Sequence, residues 1–264
     1  MLSSVFKYLL TAGSLMLGSL FLAPSCADNN SSLFIVGVLD IGLSSCIGKP
    51  DNTGPFLSEG TLDTAFAPGY TALILVGNQL TQQGSREQLR TETSRVSLRG
   101  AEVQLTTLND KALDIPGAQA AFSTVGTGFV DPSAGSTPSY ATMAVNLIPP
   151  GLTGLPAQVL AKIRVFGETL GGTSVTSSEL DFPITVCEGC LVLYDTPDTT
   201  QAAGAPFMCA TTTASSTQTT SAQPCILGQD QSFSCALCAA ASKDDMCRNP
   251  CMNPSFKMSP SCMP

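Results

Sequence analysis

The chain has 264 residues, 43% of them hydrophobic and only 12% charged, with a formal net charge of −8. That length suffices for one moderate domain with a small appendage, and the acidic balance excludes nucleic acid as a partner because phosphate backbones would be repelled. Histidine and tryptophan are absent and tyrosine is scarce, which removes Ser-His-Asp and Cys-His catalysis, imidazole-bound metal and sugar clefts walled by aromatic faces.

Residues 1–25 have the layout of an export signal. Lys7 precedes an apolar run from Tyr8 to Leu22, short for a bilayer span and long enough for a signal core. The run ends Leu22-Ala23-Pro24-Ser25-Cys26, which resembles a bacterial lipobox in its small residue before the cysteine and its upstream leucine. It departs from that pattern at Ala23, where leucine is preferred, and at Pro24. The resemblance implies a lipidated Cys26 carrying more than one acyl chain, which anchors a protein stably where a single chain does not. The membrane, reached through this lipid, is then the first expected partner. Ala27 in place of aspartate points, by the same resemblance, to the outer membrane. The alternative is an ordinary signal peptide cut nearby, leaving Cys26 to pair with another cysteine. Lipidation would leave ten of the eleven cysteines, an even number, and residues 26–32 would form a polar tether.

From 33 to 194 the pattern predicts strands. Leu33–Leu39 is apolar and strand-sized, and Tyr70–Leu80 is β-rich and ends at a Gly-Asn break. Thr81–Ser94 is polar and suits an exposed loop or one short helix. Arg95–Leu105 changes phase midway: Val96 and Leu98 share one parity, Ala101, Val103 and Leu105 the other. A β-bulge at Gly100 would keep both sets on the core side. Tyr140–Ile148 alternates through Met143, Val145 and Leu147, and Val159–Leu170 places Ala161, Ile163 and Val165 inward. Gly171-Gly172 turns the chain, and Glu179–Cys187 returns as a partner strand, in which Pro183 requires an edge or a bulge because it cannot donate to a ladder. Short strands, Gly and Pro breaks and no long amphipathic helix predict an all-β fold, an antiparallel immunoglobulin-like or fibronectin-like β-sandwich, with a closed barrel as the alternative.

Residues 195–224 are dominated by Thr, Ser, Ala, Gln and Pro, with too little apolar surface to offset ordering entropy, and are expected to form a flexible loop. Residues 225–264 carry six cysteines and scarcely any aliphatic core, so a mostly irregular tail held by covalent links is expected. The disulfide candidates are Cys46, Cys187, Cys190, Cys209, Cys225, Cys235, Cys238, Cys247, Cys251 and Cys262. A local bridge such as Cys209 with Cys225 is one option. Cys46 stands far from the rest and would tie the N-terminal strand to the tail, to Cys187 or to Cys190. Connectivity does not follow from spacing.

Cys187-Glu188-Gly189-Cys190 and Cys235-Ala236-Leu237-Cys238 are CxxC units, but their separation far exceeds that of a zinc ribbon, about 15–20 residues. No metal and no cofactor is therefore expected. Asp195 and Asp198 match no calcium-loop pattern, and Asp244 with Asp245 reads as a solvated charge pair. The phrase Thr-Leu-Gly-Gly-Thr, the run Leu-Asp-Phe-Pro-Ile-Thr-Val-Cys-Glu-Gly-Cys-Leu-Val and the tail Pro-Cys-Ile-Leu-Gly-Gln-Asp-Gln-Ser-Phe-Ser-Cys-Ala-Leu-Cys together resemble the exported cysteine-rich lipoproteins of myxobacteria. That largely uncharacterised group implies a location and an architecture, and no catalytic residue. Two functional classes are left: a non-enzymatic envelope or surface lipoprotein whose loops meet an envelope protein partner, and a thiol-disulfide oxidoreductase working through Cys187 and Cys190.

Overall fold

A computed structural model describes residues 32–42, 46–84, 91–194, 224–241 and 245–255. The export segment, Cys26 and the tether to residue 31 lie outside these, as do Cys209, Cys262, Asp195, Asp198, Asp244 and the Thr/Ser-rich stretch to residue 223. The fold is all-β, and the described residues form one compact unit.

The strands are β1 (Leu33–Leu39), β2 (Phe56–Leu57), β3 (Gly60–Asp63), β4 (Tyr70–Asn78), β5 (Val96–Thr106), β6 (Ala121–Val130), β7 (Ser139–Ile148), β8 (Gln158–Thr169), β9 (Ser174–Thr176), β10 (Leu180–Cys187), β11 (Val192–Leu193) and β12 (Phe233–Ser234). One sheet runs β2-β1-β4-β7, and a second runs β3-β10-β8-β5-β6 with β9 also on β8. A single apolar cluster joins them, drawing Ala72, Ile74, Met143 and Val145 from the first sheet and Leu98, Val103, Ile163 and Ile184 from the second. Period-2 alternation produces this layer directly: in β8, Val159, Ala161, Ile163 and Val165 are buried while Arg164 between them is exposed.

The register shifts between Leu98 and Gly100 in β5, against both β6 and β8. The extra residue lets Leu98 and Ala101 both face inward despite opposite parity. A side chain at Gly100 would put its Cβ 2.3 Å from the Thr124 carbonyl oxygen, so the bulge and the glycine require each other. Pro183 sits opposite Leu160 of β8, and the other flank of β10 is joined by β3 only from Ile184 onward. The missing N–H of Pro183 therefore falls just outside that ladder.

Two expectations need correcting. The second sheet is not antiparallel throughout, because β3 runs parallel to β10, with Cys187 opposite Asp63. Nor do covalent links alone hold the tail: Leu191, Val192 and Phe233 are buried together with Cys235, Cys238 and Cys247. That small cluster is roofed by helices α1 (Cys235–Ala241) and α2 (Asp245–Arg248), followed by a 3-10 turn, Pro250–Met252. Phe66, from the β3–β4 connection, packs edge-on to Phe233 with ring centroids 5.0 Å apart, so the body adds an aromatic face to the tail's own. Strand β6 lies outside the predicted set. Its burial alternates, but Thr124, Gly126 and Gly128 occupy the inner face between Phe122 and Val130 while Val125 on the outer face is 84% exposed, so no inward apolar stripe marks it. No helix among the described residues is long and apolar enough to cross a membrane.

Candidate functional site

Four of the described cysteines stand where the tail meets the body, at two junctions. The first is built on the parallel pair β3–β10. Its register sets Asp63 beside Cys187, and Cys187 is bonded to Cys190 across the Glu188-Gly189 turn. Asp63 is fully buried. Its Oδ1 accepts from the Gly189 N–H at 2.7 Å and the Ala65 N–H at 3.1 Å, and its Oδ2 accepts from the Leu191 N–H at 3.1 Å. Three backbone donors thus satisfy a carboxylate that would otherwise be costly to bury. One side chain thereby holds both the turn after β3 and the turn between the cysteines.

From the other side the same turn is gripped by the tail. Gly189 has φ +77, and a Cβ there would lie 2.3 Å from Oδ1 of Asn253; only glycine accepts both conditions without strain. Asn253, itself fully buried, donates from Nδ2 to the Gly189 carbonyl at 2.7 Å and to the Tyr194 hydroxyl at 2.9 Å. The Ser255 hydroxyl donates to the Glu188 carbonyl at 2.6 Å, and the Tyr194 hydroxyl donates to the Met246 carbonyl. Burial pushes the Tyr194 phenol above its ordinary value. One oxygen of Asp63 and the sulfurs of Cys187 and Cys190 lie within 4.8 Å of one another. Joined as a cystine, the sulfurs are not thiolates, the form in which cysteine ligates metal or attacks a disulfide.

The second junction closes the longest described loop. Cys46 is bonded to Cys225, 179 residues away in sequence, with Cα atoms 5.3 Å apart. The suggested Cys209–Cys225 bridge is therefore not formed. The reason lies in the path of the tail, which returns along the free flank of β3, where Leu62 pairs with Gln229, and so presents Cys225 to the β1–β2 connection. The Gln229 side chain reproduces a strand's hydrogen bonds at Thr71, accepting from its N–H at 3.0 Å and donating to its carbonyl at 2.7 Å. Asp230, at φ 59, accepts from the Thr61 N–H at 2.8 Å and from the Tyr70 hydroxyl at 2.9 Å. Burial raises the Asp230 carboxyl above its usual range, and the nearby charge of Asp40 adds to the rise. Burial, then the charge of Asp230, drives the Tyr70 phenol far upward.

Of the remaining candidates, Cys238 is bonded to Cys247, pinning α1 to α2, and Cys235 and Cys251 are disulfide-bonded too. Asp245 stands exposed in the first turn of α2. Sequence reasoning did not find Asp63, Asp230, Gln229 or Asn253. The one available signal was an acid directly after an apolar strand residue, Leu62-Asp63, where a charge needs a reason. Comparison with protein-family models and with curated proteins finds no match to this chain.

Proposed function

We propose that this protein is a non-enzymatic envelope or surface lipoprotein. Its immunoglobulin-like or fibronectin-like sandwich would be anchored through Cys26 and would present loops to an envelope protein partner. The observation that carries this reading is the use made of the cysteines. Those described are cross-links, and the longest, Cys46–Cys225, fastens the tail to the two-sheet body, which is what an exported scaffold in an oxidising compartment requires. The sequence adds its lack of histidine, and rigid β scaffolds commonly carry recognition on their loops.

The test is crosslinking in intact cells followed by affinity capture of the membrane-extracted protein. Reproducible capture of one envelope component supports the reading; capture of none overturns it. Intact mass before and after reduction tests the anchor separately, since acyl chains add mass that no reductant removes.

A second reading, thiol-disulfide exchange at Cys187 and Cys190, has one observation in its favour: the buried Asp63 carboxyl beside both sulfurs. Against it stands the grip of Asn253 and Ser255 on the intervening turn, which a mixed-disulfide partner would have to displace. Insulin-reduction activity that disappears in Cys187→Ser would favour exchange over scaffolding.

A further inference from the structure

Between the outer face of β1–β4 and the returning tail lies a cavity of about 270 Å³. Its walls are mostly aliphatic, with Leu57, Leu73 and Ala144 among them, and Cys46–Cys225 forms part of one side. Among the described residues, Asp40 and Asp230 are the only charged ones that line it, and no lysine or arginine does. Neither carboxylate has an ion-pair partner among the described residues. The acids on the second sheet differ: there Lys162 Nζ lies 2.9 Å from Asp110, 3.3 Å from Glu179 and 3.4 Å from Asp181.

Both carboxylates at the cavity are held in place. Asp230 is fixed by Thr61, Tyr70 and Gln229, and Asp40 Oδ1 accepts from the Gly42 N–H at 2.9 Å. A concave apolar pocket with a few convergent, preorganised polar groups is the usual form of a small-ligand site. Two carboxylates lining one cavity, with no cation to balance them among the described residues, select a positive ligand. A metal ion would need further ligands. The only described group of three or more metal-ligating side chains is the one at Asp63, which includes neither Asp40 nor Asp230. The aliphatic remainder of the cavity instead suits a cation with an apolar stem.

We propose that this cavity binds an alkylammonium group, its cationic head beside Asp40 and Asp230 and its aliphatic stem along Leu57, Leu73 and Ala144. The group could be a free amine or a lysine side chain of a partner polypeptide. The assignment stands apart from the partner-binding reading above, because a free amine fills the same space.

Calorimetric titration of the exported, oxidised protein with n-pentylammonium, and in parallel with n-pentanol, tests it. The amine binds saturably at one site, and pentanol binds at least about tenfold more weakly, as expected when a charge-assisted hydrogen bond is lost. Asp40→Asn keeps the oxygen that accepts from Gly42 and weakens amine binding about tenfold. Ala144→Trp, a change at an exposed position on the cavity wall, abolishes binding without touching either acid. No saturable amine binding, equal binding of pentanol, or undiminished binding by both variants overturns the proposal. Competition by N-acetyl-lysine amide identifies polypeptide lysine as the source. Amine binding without that competition identifies free amines, and leaves the scaffold reading to its own crosslinking test.

Discussion

In the two-sheet body the buried cluster contains no cysteine and runs unbroken across both sheets, whereas half of the tail's buried cluster is cysteine. The body can be assembled from alternating Val, Ile and Leu because strands such as β8 bury every second side chain, worth about 1.5–3 kcal/mol apiece. The tail has two short helices and a two-residue strand, so its apolar area is small and cross-links with buried polar anchors replace it. The difference shows how one chain can stabilise a region with little core of its own: the body supplies Phe66, Asp63 and the free flank of β3, and the tail grips them.

The sharpest way to break this division is to remove the bridge that spans it. The double variant Cys46→Ala with Cys225→Ala should lower stability by about 5 kcal/mol, the chain-entropy value for a loop of this size. Equilibrium unfolding in urea without reductant measures it, and an unchanged midpoint would mean that the tail is held by its non-covalent contacts alone.

Asp63→Ala comes next, because it leaves the N–H groups of Gly189, Leu191 and Ala65 without their acceptor. A loss of about 2–3 kcal/mol is expected. Asp63→Asn keeps one acceptor oxygen and should lose less; equal losses for the two would show that acceptance by the carboxylate is not what holds the turn.

Gly189→Ala should cost about 1–2 kcal/mol through its positive φ and its collision with Asn253. Hydrogen exchange should show faster opening at residues 246–255 and unchanged protection in β5 and β8. Uniform loss of protection across both regions would erase the distinction between body and tail.

The smallest effect concerns pH. Asp230 has a folded value raised above its ordinary 3.8, so the folded state binds that proton more tightly than the unfolded chain does. Its contribution is fully present below the ordinary value and is lost as pH rises through the raised one. Asp230→Asn keeps an acceptor for Thr61 and removes the titration, so the stability difference between wild type and variant should shift in the variant's favour across that window. A pH-independent difference would show that Asp230 does not titrate differently on folding.

Much of the body was legible because it obeys local rules. The phase change around Gly100 showed itself as a parity break, and Pro183 announced a position without a ladder partner. Strand β6 was not legible because its inner face carries Thr124, Gly126 and Gly128 where an apolar row would mark a strand, and the parallel pairing of β3 depends on a connection that no local pattern encodes. The junction residues were hidden for a related reason: Asp63, Gln229 and Asn253 reach partners 59 to 158 residues away, and nothing near them in sequence reports those partners. Cysteine spacing likewise left the Cys46 partner open, because the return path of the tail selects it.

The return of residues 228–230 along β3 also fixes an order of assembly. One flank of β3 is completed by β10, the other by a segment synthesised more than 160 residues later, which bonds Thr61 through Asp230. Until that segment emerges, a nascent chain carries a raw sheet border, the kind of surface on which neighbouring chains pair and aggregate. That seam therefore closes late, and a chain that terminated before Gln229 would leave that border open for good.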